Sequence, residues 1–392
     1  REITAESPKL PRAWVLLCAL ELREDEVGEA MDAALQGLAH NPQNRQLLLL
    51  KAQAEGRRSP MLAVPTLRGL VDGDPNDTNV VTQLANAYVR SDRPQEAVRV
   101  LRQHVAALKD PARKQGEVAL ASVLYDVGEA DEAGAIFRRL VQAEPDNAAV
   151  VLTWARSLAS QERWAEAKAV IADWRSTRPN DLSVSATFAR YLVAGAEKPG
   201  LEVAEELLRA DLQSHPRSAG LLHLLANVTA TTGRPEEAIT LNRRIIEMDP
   251  NDVFALNSLA WLLCEEQSQY AKALELANRG LKMRPEYIDL IDTRGVIHYR
   301  MGHLDQALED LSRCIELYPG NAPAKASTHF HLARVYAEMG RTADAIRHVQ
   351  QALMLHRQSR QTTDPTQRKS VLSEKDLADA ERLLDQLQKG VG

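Results

Sequence analysis

The sequence predicts an all-α chain of about ten tandem helix–turn–helix repeats, and three periodic features of its 392 residues carry that prediction. First, prolines recur at Pro42, Pro75, Pro145, Pro179, Pro216, Pro250, Pro285 and Pro319. Their gaps are 33, 70, 34, 37, 34, 35 and 34 residues, the 70 being two units with one proline missing. Second, an alanine stands twelve residues before each proline, at 30, 63, 133, 167, 204, 238, 273 and 307. Ala97 and Ala345 complete that series, with Lys109 and Arg357 in the proline slot. Third, a further small residue lies about twelve residues earlier: Cys18, Ala85, Ala121, Ala155, Ala189, Ala226, Ala260, Gly295 and Ala333, with Lys51 the one large member. A fixed period near 34 is the mark of a repeat architecture, in which each unit is one supersecondary element.

Each element of a unit has a local cause. The first helix shows apolar residues at helical spacing, as in Leu256, Leu259, Ala260 and Leu263, which defines one buried face. Glycines at 128, 233, 302 and 340 follow; glycine supplies the left-handed conformation that ends a helix. Acidic residues such as Glu236 and Glu237 then open the second helix, where they complement its dipole. The paired small residues let the two helices approach closely. A single pair cannot bury its faces, so stacked neighbours share a continuous core.

The units run over 11–43, 44–77, 78–111, 114–147, 148–181, 182–218, 219–252, 253–287, 288–321 and 326–358, so the array occupies 1–358. Pro60 and Pro65 are expected to delay or kink the second helix of the second unit. Residues 359–370 read as a polar linker containing Pro365. Ser373 and Asp376 then start a terminal capping helix within 371–392, which alternates Leu377, Leu383, Leu384 and Leu387 with charges and shields the end of the array. At the other end, the helix expected over Ala13–Leu22 is apolar nearly all round. This pattern suits a helix covered on both sides, so further repeats or another domain are expected to precede Arg1. Self-association through the N-terminal face around Trp14 is the rival reading.

Composition bounds the function. Hydrophobic residues at 44% suffice for a substantial core, and aromatics at only 4% fit helices packed through small side chains. The net charge of -6 has both signs well mixed, so no nucleic-acid partner is expected. No apolar run reaches the length of a membrane span, so no membrane insertion is expected. Cys18, Cys264 and Cys314 are too few for a disulfide framework and read as small buried hydrophobes. Reduced thiols lean towards the cytoplasm; a periplasmic setting follows instead if an upstream signal has been removed.

These residues resemble the tetratricopeptide repeat, a family whose unit is two antiparallel helices in about 34 residues. The resemblance rests on Ala13–Cys18 and Thr293–His298 for the first helix, and on Asp131–Phe137 with Ala143–Pro145 for the second half. It covers residues 10–357. It implies a right-handed superhelical solenoid, in the long bacterial type of array, whose first helices line a concave groove for a protein or extended peptide.

No catalytic or metal motif emerges: there is no His-Glu-x-x-His, no Cys-x-x-Cys, no phosphate loop and no nucleophile elbow. His329 and His331 are two apart and diverge on a helix, and His298 with His303 lacks a third ligand. The chain is therefore read as a non-enzyme with no cofactor and no metal. Exposed positions on the first helices, out of phase with the core, comprise Asn86, Tyr125, Arg156, Arg190, His223, Asn227, Asn257, Trp261, Tyr299, Phe330 and Arg334. Asparagine amides can bond an extended backbone, arginine can fork onto a carboxylate, and an exposed tryptophan suits a binding anchor. The family's clamp of lysine, asparagine and arginine for a terminal carboxylate is not reproduced: Asn86 is present but its lysines are not. The expected function is a scaffold or adaptor; the alternative is a regulatory or substrate-guiding arm of a larger enzyme or export assembly.

Overall fold

A computed structural model describes residues 9–24, 26–110, 112–195, 197–318, 325–361 and 372–389. The described residues form twenty-one helices and no strand. The chain divides into two compact units, 1–184 and 185–392, taken here one at a time. The first holds α1 (Pro11–Arg23), α2 (Val27–His40), α3 (Arg45–Arg58), α4 (Pro60–Gly73), α5 (Thr78–Arg90), α6 (Pro94–Ala107), α7 (Ala112–Asp126), α8 (Ala130–Ala143), α9 (Ala148–Ser160) and α10 (Trp164–Thr177). The second begins within α11 (Ser183–Gly195) and continues through α12 (Lys198–Ser214), α13 (Ala219–Thr231), α14 (Pro235–Met248), α15 (Val253–Glu265) and α16 (Tyr270–Met283). It ends with α17 (Ile288–Arg300), α18 (Leu304–Leu317), α19 (Lys325–Glu338), α20 (Thr342–Gln361) and α21 (Glu374–Lys389).

Consecutive helices pack on each other from α1 to α10 in the first unit and from α12 to α21 in the second, and first helices of successive pairs also touch, as α5 does α7 and α15 does α17. The small residues sit at these contacts: Ala85, Ala97, Ala260, Ala273 and Ala307 are fully buried. In the first pair the Cys18 thiol donates to the Ala30 carbonyl at 3.2 Å, joining two small-residue positions directly. All three cysteines are buried thiols; burial pushes Cys18 up to about 11 and Cys264 to about 12, which keeps them unreactive. Lys51 fits its small-residue position because its ammonium donates to Glu55 at 2.6 Å and Thr66 at 2.7 Å.

Three further devices fix the register. The turn five residues before each repeated alanine is left-handed at Gly128, Gly233, Gly302 and Gly340, and also at Asp92, Glu162 and Ser268, where no glycine announces it. Two residues after several prolines, an Asn or Asp caps the next first helix: Asn44 accepts from Leu47 N–H, Asp77 from Val80, Asn147 from Val150 and Asp252 from Ala255. A side chain from the following second helix, or from the residue that ends it, also reaches back to a proline carbonyl. His104 meets Pro75, Arg178 Pro145, Arg244 Pro216, Arg279 Pro250 and Arg313 Pro285.

Two expectations need correction. The second helix of the second repeat is not delayed: α4 begins at Pro60, three residues before Ala63, the same offset as Pro94 before Ala97. Pro60 occupies the first helical position, where its missing N–H costs nothing, and the helix continues past Pro65. Trp14 does not line an open face. It is buried with Cys18, Leu22, Ala34 and Leu47, while Leu16 and Leu20 are the exposed large apolar residues of α1.

At the far end, Ser373 Oγ accepts from the Asp376 N–H at 3.1 Å and donates to its carboxylate at 2.7 Å, opening α21. Leu377, Leu383 and Leu384 pack against Ala326, Phe330, Val349 and Leu353 of α19 and α20. α20 extends to Gln361, beyond the expected end of the array at 358. Residues 362–370 of the expected linker lie outside the described residues.

Candidate functional site

Eleven side chains on the first helices stand out by sequence, and their surroundings differ. In the first unit Asn86 on α5 and Arg156 on α9 are exposed. In the second, Arg190 on α11 and Asn227 on α13 are exposed, and Trp261 on α15 is 37% exposed despite its size. The positions are equivalent: each directly follows a small residue (Ala85, Ala155, Ala189, Ala226, Ala260). One step along a helix turns the side chain by about 100°, from the buried contact to the outer surface.

Arg190 and Asn227 each make a hydrogen bond within their own helix. Arg190 donates to Thr187 Oγ1 at 3.1 Å, and the Asn227 amide oxygen accepts from Thr231 Oγ1 at 3.2 Å. Both keep hydrogen-bonding capacity for a ligand. Asn257, half-buried one turn before Trp261, has a buried amide oxygen without a hydrogen-bond partner. His223 is half-buried and engaged, its Nε2 lying 2.8 Å from Asp252 Oδ2, the carboxylate that caps α15.

Tyr299, half-buried, carries the Arg334 guanidinium 4.7 Å above its ring, and that guanidinium also lies 5.7 Å from the centre of Phe330. The Trp261 ring approaches His331 of α19 to 6.2 Å. His331 Nδ1 lies 3.2 Å from Asp292 Oδ2, and Thr328 donates to the other oxygen of Asp292 at 2.7 Å. Glu265, one turn after Trp261, is bound in a fork by Arg300 at 2.8 and 2.6 Å. Despite burial its carboxyl stays below the usual range, because Arg300, Arg334 and His331 oppose the desolvation. Residues of α15, α17 and α19 thus form one connected polar–aromatic patch in the second unit. His331 was weighed by sequence only as a metal ligand, and Glu265 and Arg300 were missed; their ion-pair spacing of 35 residues was the available signal.

Tyr125 and Phe330 do not belong to this surface. Tyr125 is 3% exposed, stacks on Phe137 and accepts a hydrogen bond from Trp154 Nε1 at 3.0 Å. Phe330 is 2% exposed and lies in the core beneath α21. Both were assigned outward by periodicity, but a large ring reaches back into the neighbouring helix, which a small polar residue cannot do.

Among the described residues no three His, Cys, Asp or Glu side chains are grouped for a metal ion, and no helix is long and apolar enough to cross a membrane. The His298 and His303 rings lie 5.8 Å apart. His329 turns away from His331 and meets His348 instead.

Comparison with known proteins places these features in context. Sequence profiles described as tetratricopeptide repeat match residues 81–115, 124–190, 200–253, 241–275 and 288–358, together well over half of the chain. A repeat-containing protein of Pseudomonas aeruginosa is 28% identical over 126 residues, covering 31% of this chain and 21% of that protein. Anaphase-promoting complex subunit 7 of Arabidopsis thaliana is 27% identical over 156 residues, covering 40% of this chain and 26% of its own. The chain therefore spans about a quarter or less of the length of these relatives. Among solved structures, a repeat protein from Parabacteroides merdae aligns with a TM-score of 0.46 at 15% identity, covering 70% of this chain and 98% of that one.

Proposed function

Because the chain belongs to the tetratricopeptide repeat family, we propose that it is a protein-interaction scaffold without a catalytic step of its own, holding its partner on the exposed side chains of its first helices. The observation that carries this reading is the run Arg190, Asn227 and Trp261 in the second unit. All three occupy the position directly after a repeated small residue, and all three are exposed. Such positions on a repeat array would ordinarily carry solvating Glu, Lys or Gln. Here they offer a guanidinium and an indole, residue types that dominate binding energy at interfaces, and an amide with spare hydrogen-bonding capacity. Asn86 and Arg156 extend the same reading to the first unit, and Asn257, Tyr299, Arg334 and His223 flank it in the second. The partner class is a protein or an extended peptide segment.

Membership of a larger assembly is the second reading. It is favoured by the Arabidopsis relative, which is by name a subunit of such an assembly.

The test uses a partner first captured by the full chain and then identified. Arg190→Glu with Asn227→Ala should weaken that partner's affinity by about tenfold or more, while circular dichroism keeps the helical signal unchanged. Equal affinity for the double variant and the parent removes this surface as the main site.

A further inference from the structure

Two imidazoles face each other between α19 and α20. His329 Nδ1 and His348 Nδ1 are 2.9 Å apart, with ring centres 5.1 Å apart and planes inclined by 40°. The centre spacing exceeds the nitrogen spacing by about two ring radii, so the two nitrogens point nearly head-on. That is the geometry of an N–H···N hydrogen bond. Two lone pairs converging on a tetrahedral metal would instead meet at an angle. The contact needs one donor and one acceptor, which two neutral imidazoles of opposite tautomer supply. One extra proton leaves the shared hydrogen in place. A second leaves two N–H groups opposed across 2.9 Å, both rings charged.

The surroundings favour the neutral pair. Lys325 of α19 and Arg347 of α20 add positive charge, and Asp344 is the one carboxylate acting on His348. Asp344 is itself held by Arg341 at 2.7 Å and Arg347 at 3.0 Å. Tyr336 of α19 stacks on His348, with ring centres 5.2 Å apart. Among the described residues no charged side chain of α17, α18 or α21 acts on either ring.

We propose that the His329–His348 contact is a proton-operated latch joining the two helices of this pair, closed at neutral pH and opened by acid. Burial is the first cause that lowers both imidazoles, His329 to about 4; the charge of His348 and then Lys325 add to it at His329, and that of Arg347 at His348. Both folded values lie below the ordinary 6.5 of histidine. The unfolded chain therefore binds more protons in the interval, and the stability of the pair is full above pH 6.5 and lost as pH falls towards 4. The consequence reaches two neighbouring features. Phe330 and Val349, each next in sequence to a latch histidine, form the seat of α21. His331 and Arg334 on α19 belong to the polar–aromatic patch, so acid should also weaken partner binding there, a consequence that rests on the scaffold reading.

Two measurements on the full chain test the latch. Imidazole proton resonances, assigned with His329→Asn and His348→Asn, should show two midpoints well below the ordinary value; both near 6.5 would overturn the proposal, whatever the variants do. Hydrogen exchange, corrected for its intrinsic pH dependence, should show segments 325–361 and 374–389 losing about tenfold more protection than α13–α16 between pH 7.5 and 4.5. The double variant His329→Asn/His348→Asn places an amide where each Nδ1 stood and cannot titrate, so the extra loss should vanish. An identical extra loss in that variant refutes the latch. A captured partner that binds with the same affinity at both pH values removes the coupling to the patch and leaves the latch to the two measurements above.

Discussion

Gly295→Ala separates what the repeat pattern implies from what the packing requires. The position is one of the small-residue series, where seven of the ten units carry alanine. On the pattern alone the substitution should be welcome, since alanine favours a helix interior over glycine by about 1 kcal/mol. The structure opposes it. A Cβ at Gly295 would lie 2.7 Å from Leu311 Cγ, 2.9 Å from its Cδ2 and 3.3 Å from Asp310 Cβ. Leu311 is fully buried, and its Cγ is a branch point near the backbone that cannot swing aside. Asp310 is fixed by Arg294, which forks onto it at 2.7 and 2.6 Å. Overpacking of this kind costs about 1–3 kcal/mol, so a net loss of about 1 kcal/mol is expected. Gly69 is the control: it lies inside α4 with nothing within 4 Å of the added carbon, and Gly69→Ala should gain about 0.5–1 kcal/mol. Urea unfolding followed by circular dichroism should shift the two midpoints in opposite directions. An array need not unfold in one step, so the sign carries the test. A gain for Gly295→Ala like that of Gly69→Ala would refute the packing argument.

Two further outcomes follow from individual residues. Arg234 first, then Arg209, hold the Glu205 carboxyl at about 2 against its ordinary 4.5. Its contribution is therefore complete above pH 4.5 and lost as pH falls towards 2. Glu205→Gln should be less stable than the parent at pH 7, and the gap should narrow as pH falls from 4.5 towards 2; a gap independent of pH counts against the ion-pair account. Glu162 occupies a left-handed turn at φ 56°, a conformation that costs a non-glycine residue about 1–2 kcal/mol. Glu162→Gly gives back part of that through a freer unfolded chain, so a rise in stability of about 0.5 kcal/mol is expected, and a fall in melting temperature would contradict it.

The helices were legible because their determinants are local and recur. Ala97, Ala133 and Ala238 are fully buried, as a repeated small residue at a helix contact must be. The turns were only half legible. Gly128, Gly233, Gly302 and Gly340 announce a left-handed residue, whereas Asp92, Glu162 and Ser268 adopt it under constraint from the helices on either side. The back-reaching contacts of Arg244, Arg279 and Arg313 with proline carbonyls lie 28 or 29 residues apart. They depend on two units already being stacked, so no window within one unit reveals them. The His329–His348 pairing was hidden for a similar reason. It joins residues 19 apart across a helix pair, while the search along one helix compared His329 with His331.

The surface was less legible than the core, and Val296 shows why. It stands directly after Gly295, in the position that carries Arg190, Asn227 and Trp261 in other pairs of the second unit, yet it is 2% exposed. Periodicity specifies a direction from the helix axis; exposure also depends on what the neighbouring helices extend over that direction. On α15 and α19, the first helices either side of α17, Trp261 and His331 approach each other to 6.2 Å. Val296 itself lies in the core cluster that holds Leu259, Leu263 and Ile297, so neighbouring helices cover it. The identity of the residue after the small position is thus free of the requirement that builds the array, but it is not free of its neighbours. That is the condition under which a repeated framework can carry a surface of its own: the small residue fixes the helix contact, and the next residue, about 100° further round the helix, is set by what lies beside it.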